Sequence, residues 1–295
     1  MEPKPIIVLT GPTAVGKTKL SIELAKAVSG EIISADSMQV YKHMDIGSAK
    51  ITKEEMQGIS HHLIDVLEPW EEFNVVIFKK YCEQCLQDIY ERGHIPILTG
   101  GTGFYIQAVL RDIDFTENEE CTPYRKELAM LAEDKGAAYL HEMLKEVDPA
   151  SAEAIHQNNV KRTIRALEYY KLTNERISEH NERERQRVSP YNSCYFVLND
   201  VREHLYQRIE QRIDEMLAQG LVEEVKGLQT MGCHRGMVSM QGLGYKEILA
   251  YLEGECSLEE AVYLLKRDTR HFAKRQLTWF RREQEVIWVD KDKFN

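Results

Sequence analysis

A chain of 295 residues, 43% of them apolar and 29% charged, can bury a full core as one large or two modest domains. It has no basic-then-apolar leader and no apolar run of membrane-spanning length, so we expect a globular, cytoplasmic protein. The formal net charge of −10 argues against nucleic-acid binding by the chain as a whole, although an average charge does not describe local patches.

The first predicted elements are a strand, a glycine-rich loop and a helix. Residues 6–9 are an apolar run of strand length, and Leu20, Leu24 and Ala27 recur at helical spacing after the loop. The loop has the phosphate-loop pattern and comprises Gly11, Pro12, Thr13, Ala14, Val15, Gly16, Lys17 and Thr18. Its backbone N–H groups and the positive end of the helix favour an anion. With Lys17 on the terminal phosphates and the Thr18 hydroxyl on Mg²⁺, the pattern predicts a diphosphate or triphosphate site.

A second predicted strand, residues 31–36, ends in a carboxylate. Parallel α/β sheets place ligands at the carboxyl ends of their strands, so we expect Asp36 to face the phosphate loop rather than to serve as a helix cap or turn residue. Ser37, Met38 and Gln39 follow directly, at the lip of the same site. Residues 42–72 are predicted to be loop with short helices. The adjacent pair within them, His61 and His62, is expected to pack and make a surface contact rather than bind a metal.

A third strand-loop-helix unit follows. Residues 75–91 predict an amphipathic helix, in which Cys82 and Cys85 form a CxxC without a second pair, so we expect ordinary thiols in a reducing compartment. Residues 95–98 predict a strand, and residues 104–110 a helix. The glycine-rich turn between them, 99–103, carries two hydroxyls toward the phosphate site.

The character of the sequence changes near residue 113. Residues 112–122 are polar and acidic, typical of a hinge, and residues 124–170 have a helical pattern without a convincing strand. Strand patterns return at 195–198 and 286–289. We therefore predict an α/β fold, a P-loop NTPase-like parallel sheet with helices on both faces, interrupted by an all-helical insertion. The expected boundaries are 1–113 for the first part of the core, 114–190 for the insertion and 191–295 for the second part.

Basic residues concentrate in the insertion and in the last helix. Lys161, Arg162 and Arg165 lie within five positions, whereas the arginines between 176 and 187 have acidic neighbours and could simply form a solvated face. The last helix is more unbalanced, because seven basic residues there oppose only Asp268 and Glu283. Contacts to a phosphate backbone are the natural use of such a helix. The basic residues of that helix are Lys266, Arg267, Arg270, Lys274, Arg275, Arg281 and Arg282.

Residues 202–218 predict a further helix with two arginines beside its apolar stripe. Arg208 and Arg212 are four positions apart and share a face, so they could clamp a diphosphate together. Their acidic neighbours Glu210 and Asp214 leave open the alternative of two ordinary surface arginines.

Taken together, these stretches resemble the tRNA dimethylallyltransferases, also called isopentenyl-tRNA transferases. The matching segments are 11–18, 34–42, 44–47, 100–102, 160–168, 208–216, 241–247 and 274–279, in the family's order. The run Asp-Ser-Met-Gln-Val-Tyr at 36–41 is far more specific than the phosphate loop. The departures are small. Ser48 stands where the family usually has Thr, and Ile51 where it often has Pro. Lys161 replaces a frequent Gln, and Asn174 stands where Gly is common.

The resemblance implies transfer of a dimethylallyl group from its diphosphate to N6 of the adenosine 3′ of the anticodon in tRNA. Asp36 would be the general base, and Lys17, Arg212 and Thr102 would complete the catalytic set. Residues 11–18, Arg208, Arg212 and Mg²⁺ would hold the leaving diphosphate, with no ATP required. The tRNA contacts implied are Asp36, Ser37, Met38, Gln39, Thr102, Arg125, Lys161, Arg162, Thr163, Ile164, Arg165, Gln241, Gly242, Leu243, Gly244, Tyr245 and Lys246.

We expect a monomer that binds an anticodon stem-loop and flips out its target base. The alternatives are a small-molecule kinase that uses ATP, an isopentenyltransferase acting on free adenine nucleotides, and a non-catalytic RNA-binding module.

Overall fold

The computed structural model describes residues 3–115 and 122–293, without the side chain of Arg185. Its contacts divide the chain into two units. The core unit is Met1–Leu110 with Pro190–Asn295, and the helical unit is Arg111–Ser189. Of the hinge predicted at 112–122, positions 116–121 lie outside the described residues.

The core unit is built on one parallel sheet. Its strands are β1 (Lys4–Thr10), β2 (Gly30–Ser34), β3 (His61–His62), β4 (Ile95–Gly100), β5 (Tyr191–Asn199) and β6 (Ile287–Asp290). Their order is β3-β2-β4-β1-β5-β6, and every pairing among the described strands is parallel. The carboxyl ends of all these strands therefore meet at a single edge, which is where α/β sheets bind ligands.

Twelve helices lie within the described residues. They are α1 (Lys17–Val28), α2 (Val75–Glu91), α3 (Gly103–Leu110), α4 (Pro123–Lys135), α5 (Ala137–Val147), α6 (Pro149–Ala154), α7 (Val160–Thr173), α8 (Ile177–Arg185), α9 (Arg202–Gln219), α10 (Leu221–Thr230), α11 (Tyr245–Leu252) and α12 (Leu258–Phe280). Short 3-10 helices cover Ser239–Gln241 and Lys291–Lys293. None of the helices in 3–115 and 122–293 combines the length and apolar character needed to cross a bilayer.

Both faces of the sheet are covered, because neighbouring positions of a strand point to opposite sides. Ile32 pairs with Ile97, and both pack against Ile22 of α1. The next pair along, Ile33 and Leu98, belongs to the larger apolar core on the other face. The predicted P-loop-like α/β architecture is confirmed, with its apolar strands buried between helices.

One local prediction in the core unit is wrong, and the helix predicted after the loop packs mainly through residues other than Leu20, Leu24 and Ala27. The buried face of α1 is Ser21, Ile22 and Ala25, and Leu20 is 42% exposed, because the small side chains let the helix approach the sheet. Residues 42–72, all described, contain turns and β3 but no helix. The backbone N–H groups of residues 45–47 donate to the Glu224 carboxylate instead of to carbonyls of a helical turn.

His61 and His62 each have a partner in the protein. Nδ1 of His61 lies 2.9 Å from the carbonyl oxygen of Ile59, and Nε2 of His62 lies 2.7 Å from the Glu31 carboxylate. The same carboxylate accepts two hydrogen bonds from Arg92. These bonds, with smaller effects of His62 and His94, lower the pKa of Glu31 to about 2. Both histidines thus contact groups of the core unit, and His62 belongs to the ionic cluster around the buried Glu31.

The helical unit contains α4 to α8 and, among its described residues, no strand, as predicted. Its apolar core includes Leu128, Leu140, Leu144 and Leu167. Asp148 joins two of its helices, because its carboxylate accepts hydrogen bonds from the hydroxyl groups of Ser151 and Ser178.

Candidate active site

The phosphate loop joins β1 to α1 and needs glycine at two positions. Gly11 has a φ of 145°, and a Cβ there would lie 2.5 Å from the carbonyl oxygen of Leu198 on β5. Gly16 has a φ of 99°, in the region that side chains rarely adopt. These two residues let the backbone wrap tightly at the carboxyl end of the central strand.

Lys17 lies inside this loop. Its ammonium group donates to the carbonyl oxygens of Gly11 at 3.0 Å and Pro12 at 2.9 Å. Burial lowers the pKa of Lys17 to about 8, with the nearby Asp36 carboxylate raising it and the Arg212 guanidinium lowering it further. Lys17 and Asp36 line the same cavity, as expected for a carboxylate that faces the phosphate loop.

Asp36 is held in place by backbone contacts from the neighbouring strand end. The Ala35 N–H donates to the carbonyl of Thr99 at 2.7 Å, and the Ala35 carbonyl accepts from the Thr102 N–H at 3.3 Å. A Cβ on Gly100 would overlap the Ala35 carbonyl, so only glycine permits this approach. One carboxylate oxygen of Asp36 accepts the Met38 N–H at 2.8 Å, which leaves its second oxygen available for chemistry.

A cavity of about 60 Å³ opens beside these groups, and its lining has two characters. Lys17, Thr18 and Asp36 give it a charged, polar side. Ile32, Ile51 and Ile64 give it an apolar side. The remaining lining residues are Ser21, Ser34, Gln39, His61, Thr99 and Gly100. An amphiphilic ligand with an anionic end and a small apolar end matches such a lining.

The two arginines of α9 have different environments. Arg208 donates to the Asp200 carboxylate and, at 2.9 Å, to the carbonyl of Ala14. Arg212 has no hydrogen bond or ion pair within the part of the chain that the structure describes, and burial, with Arg208 nearby, lowers the pKa of its guanidinium. Arg208 thus braces the phosphate loop, and Arg212 is the one able to meet a ligand.

Gln276 on α12 is a site residue that the sequence reasoning did not single out. Its amide oxygen accepts the Thr13 N–H at 2.8 Å, and its amide nitrogen donates to the Gly101 carbonyl at 3.0 Å. The side chain is 5% exposed and joins the two glycine-rich loops. The signal was present in the matching segment 274–279, but nothing local to it indicates two partners more than 170 positions away.

Several residues predicted to bind tRNA make contacts within the core unit. Gln39 accepts from the Ser34 hydroxyl at 3.1 Å and donates to the carbonyl of Ala49. Tyr245 is fully buried and donates to Glu224 at 2.8 Å, so its side chain is no surface contact. Gly242 is also buried and packs against Met38, where a Cβ would lie 2.5 Å from the sulfur.

The rest of this predicted set is more accessible. Gln241 is exposed, and Ser37, Leu243 and Lys246 are half-buried, whereas Gly244 is buried. Thr102 is half-buried at the start of α3. In the core unit, therefore, only some of the residues predicted to contact tRNA have side chains at the surface.

In the helical unit, Lys161 and Arg162 are exposed on the first turn of α7. Thr163 is completely buried and Ile164 is 8% exposed, so neither side chain lies at the surface, and the tRNA contact expected at these two positions stays a prediction. Successive positions of a helix face different directions, and these two face inward.

Arg125, also predicted to contact tRNA, pairs with the buried Glu168 at 2.6 Å. Arg165 lies 3.6 Å from the same carboxylate. These two arginines therefore have a structural role in the helical unit, whatever else they bind.

The basic residues of α12 divide into two groups. Lys266 pairs with Asp214 and Arg270 with Glu210, both on α9, and Arg267 pairs with Asp268, so this half is more balanced than the sequence of the helix indicates. The later residues have no ion pair within the described part of the chain: Lys274, Arg275, Arg281 and Arg282. In the helical unit, Arg176, Arg183 and Arg187 pair with glutamates, which favours the solvated-face interpretation there.

A family model described as IPP transferase matches residues 39–283, and one described as isopentenyl transferase matches residues 4–72. The chain is 67% identical over 292 residues to a tRNA dimethylallyltransferase of Lachnoclostridium phytofermentans, covering 99% of this chain and 93% of that one. The chain belongs to the IPP transferase family. The membership predicted from eight short segments is confirmed.

Solved structures of the family have the same fold. A tRNA isopentenylpyrophosphate transferase from Bacillus halodurans superposes with a TM-score of 0.73 at 46% identity, over 98% of this chain and 90% of that one. A eukaryotic dimethylallyltransferase acting on tRNA superposes with a TM-score of 0.84 at 31% identity, over 97% of this chain and 74% of that one. The predicted enzyme class, a tRNA prenyltransferase, is likewise confirmed.

Proposed function

We propose that this IPP transferase moves the dimethylallyl group of dimethylallyl diphosphate to N6 of the adenosine 3′ of the anticodon in tRNA. The observation that carries the proposal is the cavity in which Lys17 and Asp36 face an apolar side made by Ile32, Ile51 and Ile64. A five-carbon chain can pack against that apolar side while its diphosphate meets the charged side. The relatives named above support the choice of tRNA as acceptor.

In this reaction the N6 nitrogen forms a bond to C1 of the dimethylallyl group while the bond from C1 to the diphosphate oxygen breaks. The free oxygen of Asp36 takes the proton that N6 loses, as a general base. Negative charge grows on the departing diphosphate, and Lys17, Arg212 and the backbone N–H groups at the start of α1 stabilise it. Gln276 holds the two loops at a fixed spacing while the leaving group departs.

Mg²⁺ is the expected cofactor, and the donors present suit it. The Thr18 hydroxyl and the Asp36 carboxylate line the same cavity, and no cluster of three His, Cys, Asp or Glu residues competes for a metal in 3–115 and 122–293. Such a sparse set of oxygen donors is typical of Mg²⁺ bound largely through phosphate and water. When bound, the ion would neutralise charge on the diphosphate, and Thr18 is the residue we propose to hold it.

The first test is a matched pair of incubations with unmodified tRNA, one with labelled dimethylallyl diphosphate and one with ATP labelled in its terminal phosphate. We expect isoprenoid label in tRNA and no phosphoryl transfer. Phosphoryl transfer without prenylation would establish a kinase, and prenylation of free AMP but not of tRNA would establish a nucleotide transferase. Binding of tRNA without any turnover would leave only an RNA-binding module.

The lowered pKa of Lys17 predicts a pH dependence. Free enzyme binds the diphosphate with a protonated Lys17, so kcat/KM for dimethylallyl diphosphate should decline about tenfold per pH unit above about 8. The value of kcat/KM falls as the pH rises because deprotonation of Lys17 removes the cation that binds the diphosphate. Lys17→Arg, which stays charged, should have a flat profile between pH 7.5 and 9.5 even with a lower rate. An equal decline in both proteins would assign the titration to another group.

Arg162 is expected to contact a tRNA phosphate, because it is exposed and its side chain has no hydrogen bond or ion pair within the described residues. Arg162→Ala should weaken tRNA binding by about fivefold and reduce the slope of log K against log salt by ~0.7–0.9. Arg176→Ala, which removes an exposed arginine already paired with Glu179, is the matched control. An unchanged salt slope for Arg162→Ala would exclude the phosphate contact.

A further inference from the structure

Lys291 is the first residue after the last strand of the sheet. β6 pairs in parallel with β5, and Asn199 of β5 lies opposite Asp290 of β6. The carboxyl end of β6 therefore opens at the same edge as the phosphate loop, so the residue that follows it belongs to the ligand-binding edge. Lys291 begins the short 3-10 helix Lys291–Lys293.

The turn that carries Lys291 is anchored through Asp290. One oxygen of this carboxylate accepts from the Asn199 side-chain amide at 2.9 Å, and the other accepts from the Lys293 ammonium at 2.8 Å. Both oxygens are thus engaged, and the charge of Lys293 is compensated. The Asn199 amide, on the neighbouring strand, fixes the backbone from which Lys291 extends, whereas the pair with Lys293 is a surface ion pair, with 68% of the Lys293 side chain exposed, and contributes little.

The Lys291 ammonium reaches the phosphate loop. A Cβ built on Gly16 would lie 3.0 Å from the Nζ atom of Lys291, so this ammonium occupies the space directly above the last glycine of the loop. Gly16 is the residue before Lys17, whose backbone begins α1. Within residues 3–115 and 122–293, Lys291 has no ion pair or hydrogen bond that would compensate its charge.

We propose that Lys291 is a further ligand of the substrate diphosphate. Three cations, Lys17, Arg212 and Lys291, then surround one loop whose backbone N–H groups already favour an anion. Gathering these charges is unfavourable unless a polyanion offsets them, and a diphosphate does so. The inference rests on the proposed function, because that function decides which diphosphate occupies the loop. The sequence pattern of the phosphate loop gives no sign of this residue, which lies 275 positions after Gly16.

The test compares Lys291→Met with Lys293→Met, which removes a lysine from the same turn. Affinity for inorganic pyrophosphate is measured calorimetrically at low ionic strength, and KM is measured separately for dimethylallyl diphosphate and for tRNA. We expect Lys291→Met to weaken pyrophosphate binding and raise the KM for dimethylallyl diphosphate by ~10-fold each, with an unchanged KM for tRNA. Lys291→Arg should recover most of both losses. Lys293→Met should resemble the unsubstituted enzyme.

Equal pyrophosphate affinity and an equal KM for dimethylallyl diphosphate in Lys291→Met and the unsubstituted enzyme would overturn the inference. The same losses in Lys293→Met would also overturn it, because the effect would then belong to the turn as a whole. Failure of the proposed function has a different signature: the unsubstituted enzyme itself would not prenylate tRNA. In that case a Lys291→Met loss of affinity for ATP, but not for dimethylallyl diphosphate, would reassign the residue to a triphosphate.

Discussion

Replacement of Asp36 by asparagine is expected to slow prenyl transfer by ~10²–10⁴-fold, the usual range for loss of a general base. Asparagine keeps the side-chain oxygen that accepts the Met38 N–H, so the turn after β2 is retained and only the proton acceptor is lost. Binding of tRNA and of pyrophosphate should therefore change by less than a few-fold. The measurement is single-turnover transfer at saturating concentrations of both substrates, which isolates the chemical step from binding.

Asp65→Asn is a suitable control for Asp36→Asn. Asp65 is a carboxylate from the loop between β3 and α2, and it pairs with Lys50 at 2.5 Å. We expect this variant to retain normal turnover. If Asp36→Asn also turned over within about threefold of the unsubstituted enzyme, far short of the loss that general-base removal causes, Asp36 would not be the base.

The features that sequence predicts correctly are those that depend on neighbouring positions. An apolar run followed by glycines, Lys17 and a helical pattern is local, and it determines the strand, the loop and the start of α1. Placing Asp36 beside Lys17 also succeeds, because parallel strands necessarily bring their carboxyl ends to one edge.

The features that sequence reasoning missed depend on distant partners. Gln276 reads as one polar residue in a basic helix until the fold brings Thr13 and Gly101 to it. Tyr245 lies in a glycine-rich segment that looks like a surface loop, yet its hydroxyl reaches the carboxylate of Glu224, which also fixes residues 45–47. A motif therefore marks positions that matter without telling which of them touch a ligand.

The pair on α9 illustrates the same limit at a spacing of one helical turn. Arg208 and Arg212 share a face, so sequence alone gives them one interpretation. The structure separates them through Asp200, which is 9% exposed and accepts from Arg208 just beyond the end of β5. No local sequence pattern indicates which of the two arginines pairs with the Asp200 carboxylate.

Arg212→Met and Arg208→Met are accordingly expected to fail in different ways. Loss of Arg212 removes a cation from the departing diphosphate and should lower kcat/KM for dimethylallyl diphosphate by ~10²–10³-fold, the range found when one donor to a developing anion is removed. The unfolding free energy of Arg212→Met should hardly change, because the Arg212 side chain has no ion pair or hydrogen bond to another described residue. Loss of Arg208 leaves the buried Asp200 carboxylate without its cation and should lower the unfolding free energy by about 2 kcal/mol.

Urea unfolding and steady-state kinetics on the two variants measure both quantities side by side. We expect the loss of kcat/KM mainly in Arg212→Met and the loss of unfolding free energy mainly in Arg208→Met. That result would show that Arg212 binds the diphosphate and that Arg208 stabilises the structure around the phosphate loop. If Arg208→Met instead lost ~10²-fold or more in kcat/KM at unchanged stability, Arg208 would release Asp200 to bind the substrate, since a donor to the leaving group carries an effect of that size. The ion pair between Arg208 and Asp200 would then break when the substrate binds, and both arginines would contact the diphosphate.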